Sequence, residues 1–444
     1  MLQKYAFYLN RQTVFQNFIN SIMNNMDAFH TSKTKAQISY FCIFNQCNLM
    51  KRIFLHKGKE KSLLRYHPWV FSGAVARMDR DIANGDIVEV CDRDGNFLAM
   101  GHYHDNSIAV RIFTFERLTP TYEFWKNKVE NALRYRKNIG LLNNPDTNML
   151  RLVNGEGDGL PGLIIDCYDG NAVLQFHSYG MYLLKDTFVQ ALRELLPNLK
   201  SIYNKSASTL TDAEMPEEDG VLFGELTPII GKENDIPFNI DIPGGQKTGF
   251  FLDQRDSRAL VGSMAKGRRV LNMFCYSGGF SAYALRGGAA HVDSVDISHK
   301  AIELTEQNIA LLGDEAASRH TAYCEDVFKF LENMPDKAYD LIVLDPPAFA
   351  KHHRVKEQGL KGYRNINRIA MRKLCPGGLL FTFSCSQAIS AEDFRTMVFS
   401  AAAMEGKSVR IAHHLQHALD HPVSIYHPEG EYLKGLAVEV ADSI

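Results

Sequence analysis

Strands and helices alternate from Arg269 to the end of the chain, and this alternation constrains the fold more than any other feature of the sequence. The apolar segments that predict strands lie at 270–274, 292–296, 322–325, 341–345, 379–384, 409–415 and 437–440. Regular alternation of this kind predicts an α/β fold with a parallel sheet that helices cover on both faces. Ligands of such a sheet bind at the carboxyl ends of its strands.

The sequence before this region divides into three further parts. Residues 1–49 contain one acidic residue and no convincing export signal, so we expect a poorly ordered extension. Residues 50–118 contain short alternating segments that predict a small β-barrel. Residues 119–235 predict a central α+β domain with a hairpin at Asp169-Gly170, because Asp-Gly favours a type I′ turn. The α/β domain then spans residues 236–444.

The overall charge identifies no partner. Lysine and arginine number 49 against 51 acidic residues, which gives a net charge of -2. Basic residues are nevertheless concentrated between positions 51 and 80, and they include Lys57, Lys59, Lys61 and Arg65. This stretch predicts a local face that binds a polyanion. An edge strand that lysines protect from aggregation is the alternative interpretation.

Three patterns that the sequence lacks bear on where the protein is located and on whether it binds a metal. No stretch reaches the roughly 18 consecutive apolar residues of a membrane helix, so we expect no membrane partner. The eight cysteines form no C-x-x-C pair, which favours a reducing, cytoplasmic location. His413 and His417 have the spacing of zinc ligands, but no cysteine or acid completes a site, so we expect no metal.

A candidate cofactor site begins at the turn after the first strand of the alternating region. Phe274 is followed by Cys-Tyr and then by Ser277, Gly278 and Gly279, whose small size lets a ligand approach the main chain. A tight strand-to-helix turn would look the same, because a pair of glycines is a weak signal. Asp296 ends the next strand, where a carboxylate can accept both hydroxyls of a ribose.

Further acids follow the later strands. Asp326 lies at the next strand end, where it can accept the amino group of an adenine. The two acids, with no phosphate-binding lysine, favour an adenosine ligand without phosphates, and therefore S-adenosylmethionine rather than NAD. Asp345 ends another strand, and the two prolines after it rigidify a loop. Prolines that merely end the strand are the alternative.

With these features, the chain resembles class I methyltransferases of the large-subunit (23S) rRNA cytosine-5 type, which carry an N-terminal PUA domain. The resemblance covers about residue 51 to the end. Its motifs are HPWVFSG at 67–73, NGEGDGLPG at 154–162, QKTGFFLDQR at 246–255, DPP at 345–347 and SCS at 384–386.

The resemblance implies a PUA-like β-barrel, a central α+β domain and a Rossmann-like methyltransferase sheet. It implies S-adenosylmethionine as cofactor, bound by Phe274, Ser277, Gly278, Gly279, Asp296, Asp326 and Asp345, with help from Gln254 and Arg255. It implies large-subunit rRNA as partner, with the basic stretch, His67 and Trp69 as RNA-binding residues. The oligomeric state stays open, with a homodimer as one alternative.

Methylation at carbon 5 of cytosine requires a nucleophile, because that carbon is too unreactive until a thiolate adds to carbon 6. Cys385 ends a predicted strand at the same sheet edge as Asp345, and the match to SCS favours it as this nucleophile. A lone buried cysteine is otherwise more often part of a core. Asp345 can hydrogen-bond the ring nitrogen or the amino group of the cytosine. The sequence does not identify a base for the carbon 5 proton.

Other interpretations remain open. Methylation of guanine N7 in rRNA needs no thiol, so the role of Cys385 discriminates between the two reactions. A non-catalytic RNA-binding protein with a vestigial methyltransferase fold is disfavoured by the intact acids. The glycine-rich segment 154–162 is either a flexible linker or a tether that contacts RNA.

Overall fold

Three sheets and a two-stranded ribbon follow one another along the chain. The computed structural model describes residues 50–211, 214–215, 218–350 and 352–442, so the predicted extension 1–49 lies outside the described residues. Among the described residues, no helix has the length and apolar character that crossing a membrane requires.

The N-terminal sheet has six strands in the order β2-β6-β5-β4-β1-β3. Its strands are β1 (Arg52–Leu55), β2 (Trp69–Phe71), β3 (Val75–Met78), β4 (Ile87–Cys91), β5 (Phe97–Tyr103) and β6 (Ile108–Thr114). Alternate residues such as Val88 and Val90 are fully buried, because successive side chains of a strand point to opposite faces. The sheet therefore encloses a small core of its own.

The central region contains a five-stranded sheet in the order β11-β10-β9-β8-β7. Its strands are β7 (Met149–Asn154), β8 (Leu163–Tyr168), β9 (Asn171–Phe176), β10 (Ser201–Asn204) and β11 (Gly220–Gly224), and its helices are α1 (Tyr122–Asn138), α2 (Tyr179–Tyr182) and α3 (Lys185–Leu195). The predicted hairpin at Asp169-Gly170 is confirmed, and both residues have the positive φ angles of a type I′ turn.

A ribbon of β12 (Ile229–Glu233) and β13 (Ile236–Ile240) follows, which the sequence did not predict. It crosses the predicted domain boundary at residues 235 and 236. The domain boundaries themselves stay predictions.

The C-terminal sheet has seven strands in the order β16-β15-β14-β17-β18-β20-β19. Its strands are β14 (Arg269–Met273), β15 (His291–Asp296), β16 (His320–Cys324), β17 (Tyr339–Leu344), β18 (Leu374–Ser384), β19 (Ser408–Leu415) and β20 (Lys434–Ala441). Its helices are α4 (Arg255–Met264), α5 (Gly279–Arg286), α6 (His299–Ala310), α7 (Asp314–Ser318), α8 (Val327–Asn333), α9 (Lys356–Lys373) and α10 (Ala391–Met404).

The first five strands of this sheet are parallel, as predicted, whereas β20 runs antiparallel to both β18 and β19. A purely parallel sheet was therefore the wrong prediction for its end. The physical reason is the connection between β19 and β20, which contains no α-helix that could cross the sheet and restore the direction.

Both faces of the C-terminal sheet are covered. Leu341 and Val343 belong to one apolar core, and Ile342 and Leu344 belong to the core on the other face. This division explains why β17 is a continuous apolar run rather than an alternating one.

The glycine-rich segment 154–162 is an ordered turn packed into the central region. Its Asp158 accepts a hydrogen bond of 2.9 Å from Arg136 on α1, a side chain with no exposed surface. Arg136 also donates to the carbonyl oxygens of Arg151 and Asp420, each at 2.7 Å. The flexible-linker interpretation was therefore wrong, because this turn holds buried charge.

Replacing Arg136 should destabilise the protein strongly. Arg136→Met leaves the carboxylate of Asp158 buried without its partner, so we expect the free energy of unfolding to fall by about 3–5 kcal/mol. Arg134→Met on the exposed side of the same helix is the matched control and should change stability by less than about 0.5 kcal/mol. Denaturant titration measures both variants, and equal stabilities would contradict this role for Arg136.

Candidate active site

The predicted cofactor turn connects β14 to α5 and is held rigidly. Phe274, Tyr276 and Gly278 have positive φ angles, so the main chain turns sharply there. The carbonyl of Ser277 accepts a hydrogen bond of 2.8 Å from Asn308, and that of Tyr276 accepts one of 3.0 Å from Thr305. Both partners lie on α6. These two hydrogen bonds to α6 fix the conformation of the turn.

Asp296 lies at the carboxyl end of β15, beside this turn. Its carboxylate accepts hydrogen bonds from the backbone N–H groups of Tyr276, at 3.1 Å, and Ser298, at 2.9 Å. Each carboxylate oxygen can accept a second bond, so ribose hydroxyls can still bind. Asp326 follows β16 and caps α8 through one oxygen, which accepts from the backbone N–H of Lys329 at 3.0 Å.

The segment 246–255 is tied to the same edge of the sheet. The backbone N–H of Gln246 donates to the hydroxyl of Tyr276 at 2.9 Å. Gln254 is buried and donates to a carboxylate oxygen of Asp345 at 3.1 Å. The amide oxygen of Gln254 has no partner among the described residues, although it is buried. An unsatisfied acceptor here favours a ligand that donates a hydrogen bond.

Arg255 is directed away from this edge. Its buried guanidinium forms ion pairs with Glu233 at 3.3 Å and with Asp420 at 3.0 Å, and it donates to the carbonyl of Met149 at 2.7 Å. These contacts use the charge of Arg255 within the protein. We therefore assign it a structural role instead of the expected cofactor contact.

The donor set suits S-adenosylmethionine. Carboxylates stand at three strand ends, Asp296, Asp326 and Asp345, and the turn presents bare backbone at Gly278 and Gly279. Carboxylates can accept hydroxyl and amino groups, and their negative charge favours a positively charged sulfonium.

Two neighbouring carboxyl groups have different proton affinities. Burial and the negative charge of Asp253 raise the pKa of Asp345 to about 7. Burial also opposes ionisation of Asp253, but Lys247, at 3.8 Å, and a hydrogen bond of 2.6 Å from Tyr432 hold its pKa below the ordinary value. Groups whose environments separate their pKa values are typical of acid–base sites. Near neutral pH, Asp253 is ionised and Asp345 exchanges its proton.

Cys385 follows β18 directly and is half-buried. Strands β17 and β18 are paired in parallel, so Asp345 and Cys385 emerge at the same edge of the sheet. Burial and the charge of Asp345 raise the pKa of the Cys385 thiol, whereas the positive charge of Lys247 lowers it. The structure therefore brings together the two residues that the sequence analysis proposed as catalytic.

Lys434 fixes the loop that carries Cys385. It stands opposite Ser384 on the antiparallel strand β20, and its ammonium group donates to the carbonyls of Ser386 at 2.7 Å and Ile389 at 2.6 Å. Burial lowers the pKa of Lys434 to about 8. A cation buried this close to the loop holds the main chain on both sides of residue 387.

The proposed RNA-binding residues fall into two groups. Lys57, Lys59, Lys61 and Arg65 lie on exposed turns after β1. His67 and Trp69 instead contact other parts of the chain: His67 lies 3.3 Å from the carboxylate of Glu429, in the segment before β20, and Trp69 donates to Glu156 of the central region at 2.8 Å.

The histidines near the C terminus form no metal site. No group of histidine, cysteine or acidic side chains among the described residues could hold a metal ion. His417 instead accepts a hydrogen bond of 3.0 Å from the backbone N–H of Leu433, and His421 contacts Asp420 at 3.0 Å.

Comparison with known proteins agrees with this geometry. The family described as S-adenosylmethionine-dependent methyltransferase matches residues 224–427, and the PUA-like domain family matches residues 53–115. The ribosomal RNA large subunit methyltransferase I of Aeromonas hydrophila is 41% identical over 394 residues, which cover 87% of this chain and 98% of the relative. The chain belongs to this methyltransferase I family. The protein of the same name from Shewanella amazonensis is also 41% identical, over 88% of this chain and 99% of the relative.

The methyltransferase I assignment confirms S-adenosylmethionine as the cofactor and confirms the predicted fold. A methyltransferase structure from Streptococcus mutans has the same fold, with a TM-score of 0.75 and 23% identity, and the match covers 88% of this chain and all of that one.

Sequence reasoning missed several residues of this methyltransferase I site. Lys247 and Asp253 lie within the segment 246–255, where their charges gave no separate signal. Tyr432 and Lys434 belong to no motif that we recognised. They reach the site because β20 runs antiparallel beside β18. The sequence predicted a strand at 437–440 but not this pairing.

The charges around Cys385 predict opposite effects of two substitutions. Asp345→Asn removes a negative charge and should lower the pKa of the Cys385 thiol, whereas Lys247→Met removes a positive charge and should raise it. The pH dependence of Cys385 alkylation by iodoacetamide, followed by peptide mass mapping, measures both. The exposed Cys324 in the same samples is the internal control and should keep its profile. Shifts in the same direction would contradict this arrangement.

Proposed function

We propose that this protein transfers a methyl group from S-adenosylmethionine to carbon 5 of a cytosine in large-subunit rRNA. The names of its relatives supply the RNA class. The placement of Cys385 and Asp345 at one sheet edge favours methylation at carbon 5 of a pyrimidine over guanine N7, because only the carbon 5 reaction needs a thiol. The motifs that resemble those of cytosine-5 enzymes favour cytosine as the pyrimidine.

The residues at the strand ends bind the cofactor in this proposal. The turn from Phe274 to Gly279 lies against it, Asp296 accepts the ribose hydroxyls and Asp326 accepts the adenine amino group. Bound S-adenosylmethionine supplies an electrophilic methyl group. Gln254 orients Asp345 through the hydrogen bond of 3.1 Å between them.

Cys385 makes the cytosine nucleophilic. Its thiolate would form a bond from sulfur to carbon 6, and the electron pair of the ring double bond would then form the bond from carbon 5 to the methyl group. The bond between that methyl group and the cofactor sulfur would break, with S-adenosylhomocysteine as the leaving group. Loss of the carbon 5 proton to solvent would restore the double bond and expel the thiolate. Each turnover therefore returns Cys385 to its starting state.

Asp345 stabilises the charge that develops on the ring. With its pKa near 7, it is partly protonated at neutral pH and can donate to the ring nitrogen as the thiolate adds. Asp253 acts through Asp345, because its fixed negative charge keeps the proton there. Asp253 itself is a weak base and is bound by Tyr432, so we give it a positioning role.

The exposed lysines and arginine after β1 contact RNA phosphates in this proposal. Lys57, Lys59, Lys61 and Arg65 lie within one short stretch and form no ion pair with another described residue. Such contacts add affinity without reading the sequence. Selection of the target must therefore come from elsewhere in the protein.

Guanine N7 methylation is the alternative, and the covalent adduct distinguishes it. RNA that contains 5-fluorocytosine cannot lose a proton from carbon 5, so it should trap the wild-type enzyme in a complex that survives denaturing gels. Cys385→Ala should bind S-adenosylmethionine normally in calorimetry, form no adduct and lose methylation by at least about a thousandfold.

Cys324→Ala is the matched control, since Cys324 ends β16 at the same edge of the sheet. It should form the adduct as the wild type does. Undiminished methylation by Cys385→Ala would sink the cytosine assignment and favour guanine.

A further inference from the structure

A cavity of about 560 Å³ lies where the N-terminal sheet, the central sheet and the C-terminal region after residue 240 meet. Trp69 and Arg111 line it from the N-terminal sheet, His177 lines it from the central region, and Lys247 and Gln387 line it from the C-terminal region. Its volume is in the range of ligand-binding pockets. None of the roles assigned above uses this cavity as a whole.

Trp69 and Arg111 lie side by side in the wall of this cavity. They are directly paired across β2 and β6, so their side chains leave the same face of the sheet. The hydrogen bond to Glu156 and an edge-on contact with His427, with ring centroids 4.3 Å apart, fix the indole of Trp69. A fixed, half-buried aromatic ring of this kind is a surface on which a base can stack.

Arg111 is a cation without a counter-ion. Its guanidinium forms no ion pair and no side-chain hydrogen bond with another residue among those that the structure describes, whereas Arg151 nearby is paired with Asp166 at 2.7 Å. Burial lowers the pKa of Arg111, and the more distant Glu156 and Glu214 oppose this effect. A partly desolvated cation is energetically unfavourable unless an anion pairs with it.

His177 in the cavity wall lies within the influence of three positively charged side chains. Desolvation, followed by the charges of Arg151, Arg111 and Lys247, lowers the pKa of His177 to about 4. Two carboxylates also line the cavity and remain negatively charged: Glu156 accepts from Trp69, and Glu429 lies 3.3 Å from His67. The place for an anionic group is therefore Arg111 itself, with the ring of Trp69 beside it for an aromatic group.

The cavity lies close in sequence and in charge to the proposed catalytic residue Cys385. Gln387, in its wall, lies two residues after Cys385, and the charge of Lys247 acts on the Cys385 thiol. A ligand in the cavity can therefore belong to the same RNA strand as the target base. The cavity is too small for a duplex, and unpaired nucleotides are the form in which proteins stack bases on aromatic side chains.

We propose that this cavity binds an unpaired nucleotide next to the target cytosine, with its phosphate at Arg111 and its base against Trp69. The inference rests on the proposed function for the identity of the target base. In this proposal the cavity at the junction of the three regions helps to select the RNA strand, whereas the exposed basic stretch only adds affinity.

Binding of a short single-stranded RNA with a central cytosine tests the phosphate contact. Arg111→Gln in the full chain should weaken binding about tenfold and reduce the slope of log affinity against log salt by about 0.7, the value for one phosphate contact to a single strand. Binding of S-adenosylmethionine should not change. Arg410→Gln is the control of equal charge, on an exposed strand outside the cavity, and should leave both quantities unaltered. An unaltered affinity and slope for Arg111→Gln would overturn the proposal.

Crosslinking in the wild type tests the same contact without a substitution that could disturb folding. RNA with 4-thiouridine beside the target cytosine should crosslink to peptides of β2, β6 or the turn at 155–158. Crosslinks confined to other peptides would overturn the cavity assignment.

The two proposals fail separately. If 5-fluorocytosine traps Cys385 but Arg111→Gln binds RNA normally, the cavity assignment fails and the cytosine reaction stands. If Arg111→Gln loses affinity but no adduct forms in the wild type, the cavity is an RNA site and the cytosine reaction fails.

Discussion

The ion pairs of Arg255 with Glu233 and Asp420 are the contacts on which the active-site arrangement depends. All three side chains are almost completely buried, so their charges must compensate one another. Breaking such a network typically costs about 3–5 kcal/mol. Arg255 directly follows Asp253 and Gln254 in sequence, and its anchoring fixes where these two neighbours point. Three consecutive residues thus connect the ribbon, the loop before β20 and the carboxyl edge of the sheet.

The fixed positions of Asp253 and Gln254 determine the charges at the carboxyl edge of the C-terminal sheet. Asp253 is kept ionised by Lys247 and Tyr432, and its charge with burial raises the pKa of Asp345 to about 7. One carboxylate therefore serves as a constant charge, while the other can exchange a proton near neutral pH. Lys434 adds a second amino group beside the loop of Cys385 and donates hydrogen bonds to two carbonyls of that loop. The site is preorganised by contacts between side chains that are distant in sequence.

Local patterns predicted the strands and turns well, because hydrophobic alternation and Asp-Gly chemistry act over a few residues. The strand predicted at 292–296 and the hairpin at Asp169-Gly170 agree with the structure. Motif resemblance led to Cys385 and Asp345, whose catalytic roles stay predictions. Contacts over long separations were not predictable: Gln254 and Asp345 are 91 residues apart, and Tyr432 and Asp253 are 179 residues apart. Likewise, no local signal indicated that Trp69 would be held by Glu156, 87 residues away.

The central claim is that this edge of the sheet methylates carbon 5 of cytosine. Its most direct test is the identity of the methylated nucleoside. Large-subunit rRNA lacking modifications should be incubated with the purified protein and S-adenosylmethionine carrying a labelled methyl group, then digested and analysed by liquid chromatography and mass spectrometry. The account predicts that the label appears in 5-methylcytidine. Label in 7-methylguanosine, with none in 5-methylcytidine, would contradict it.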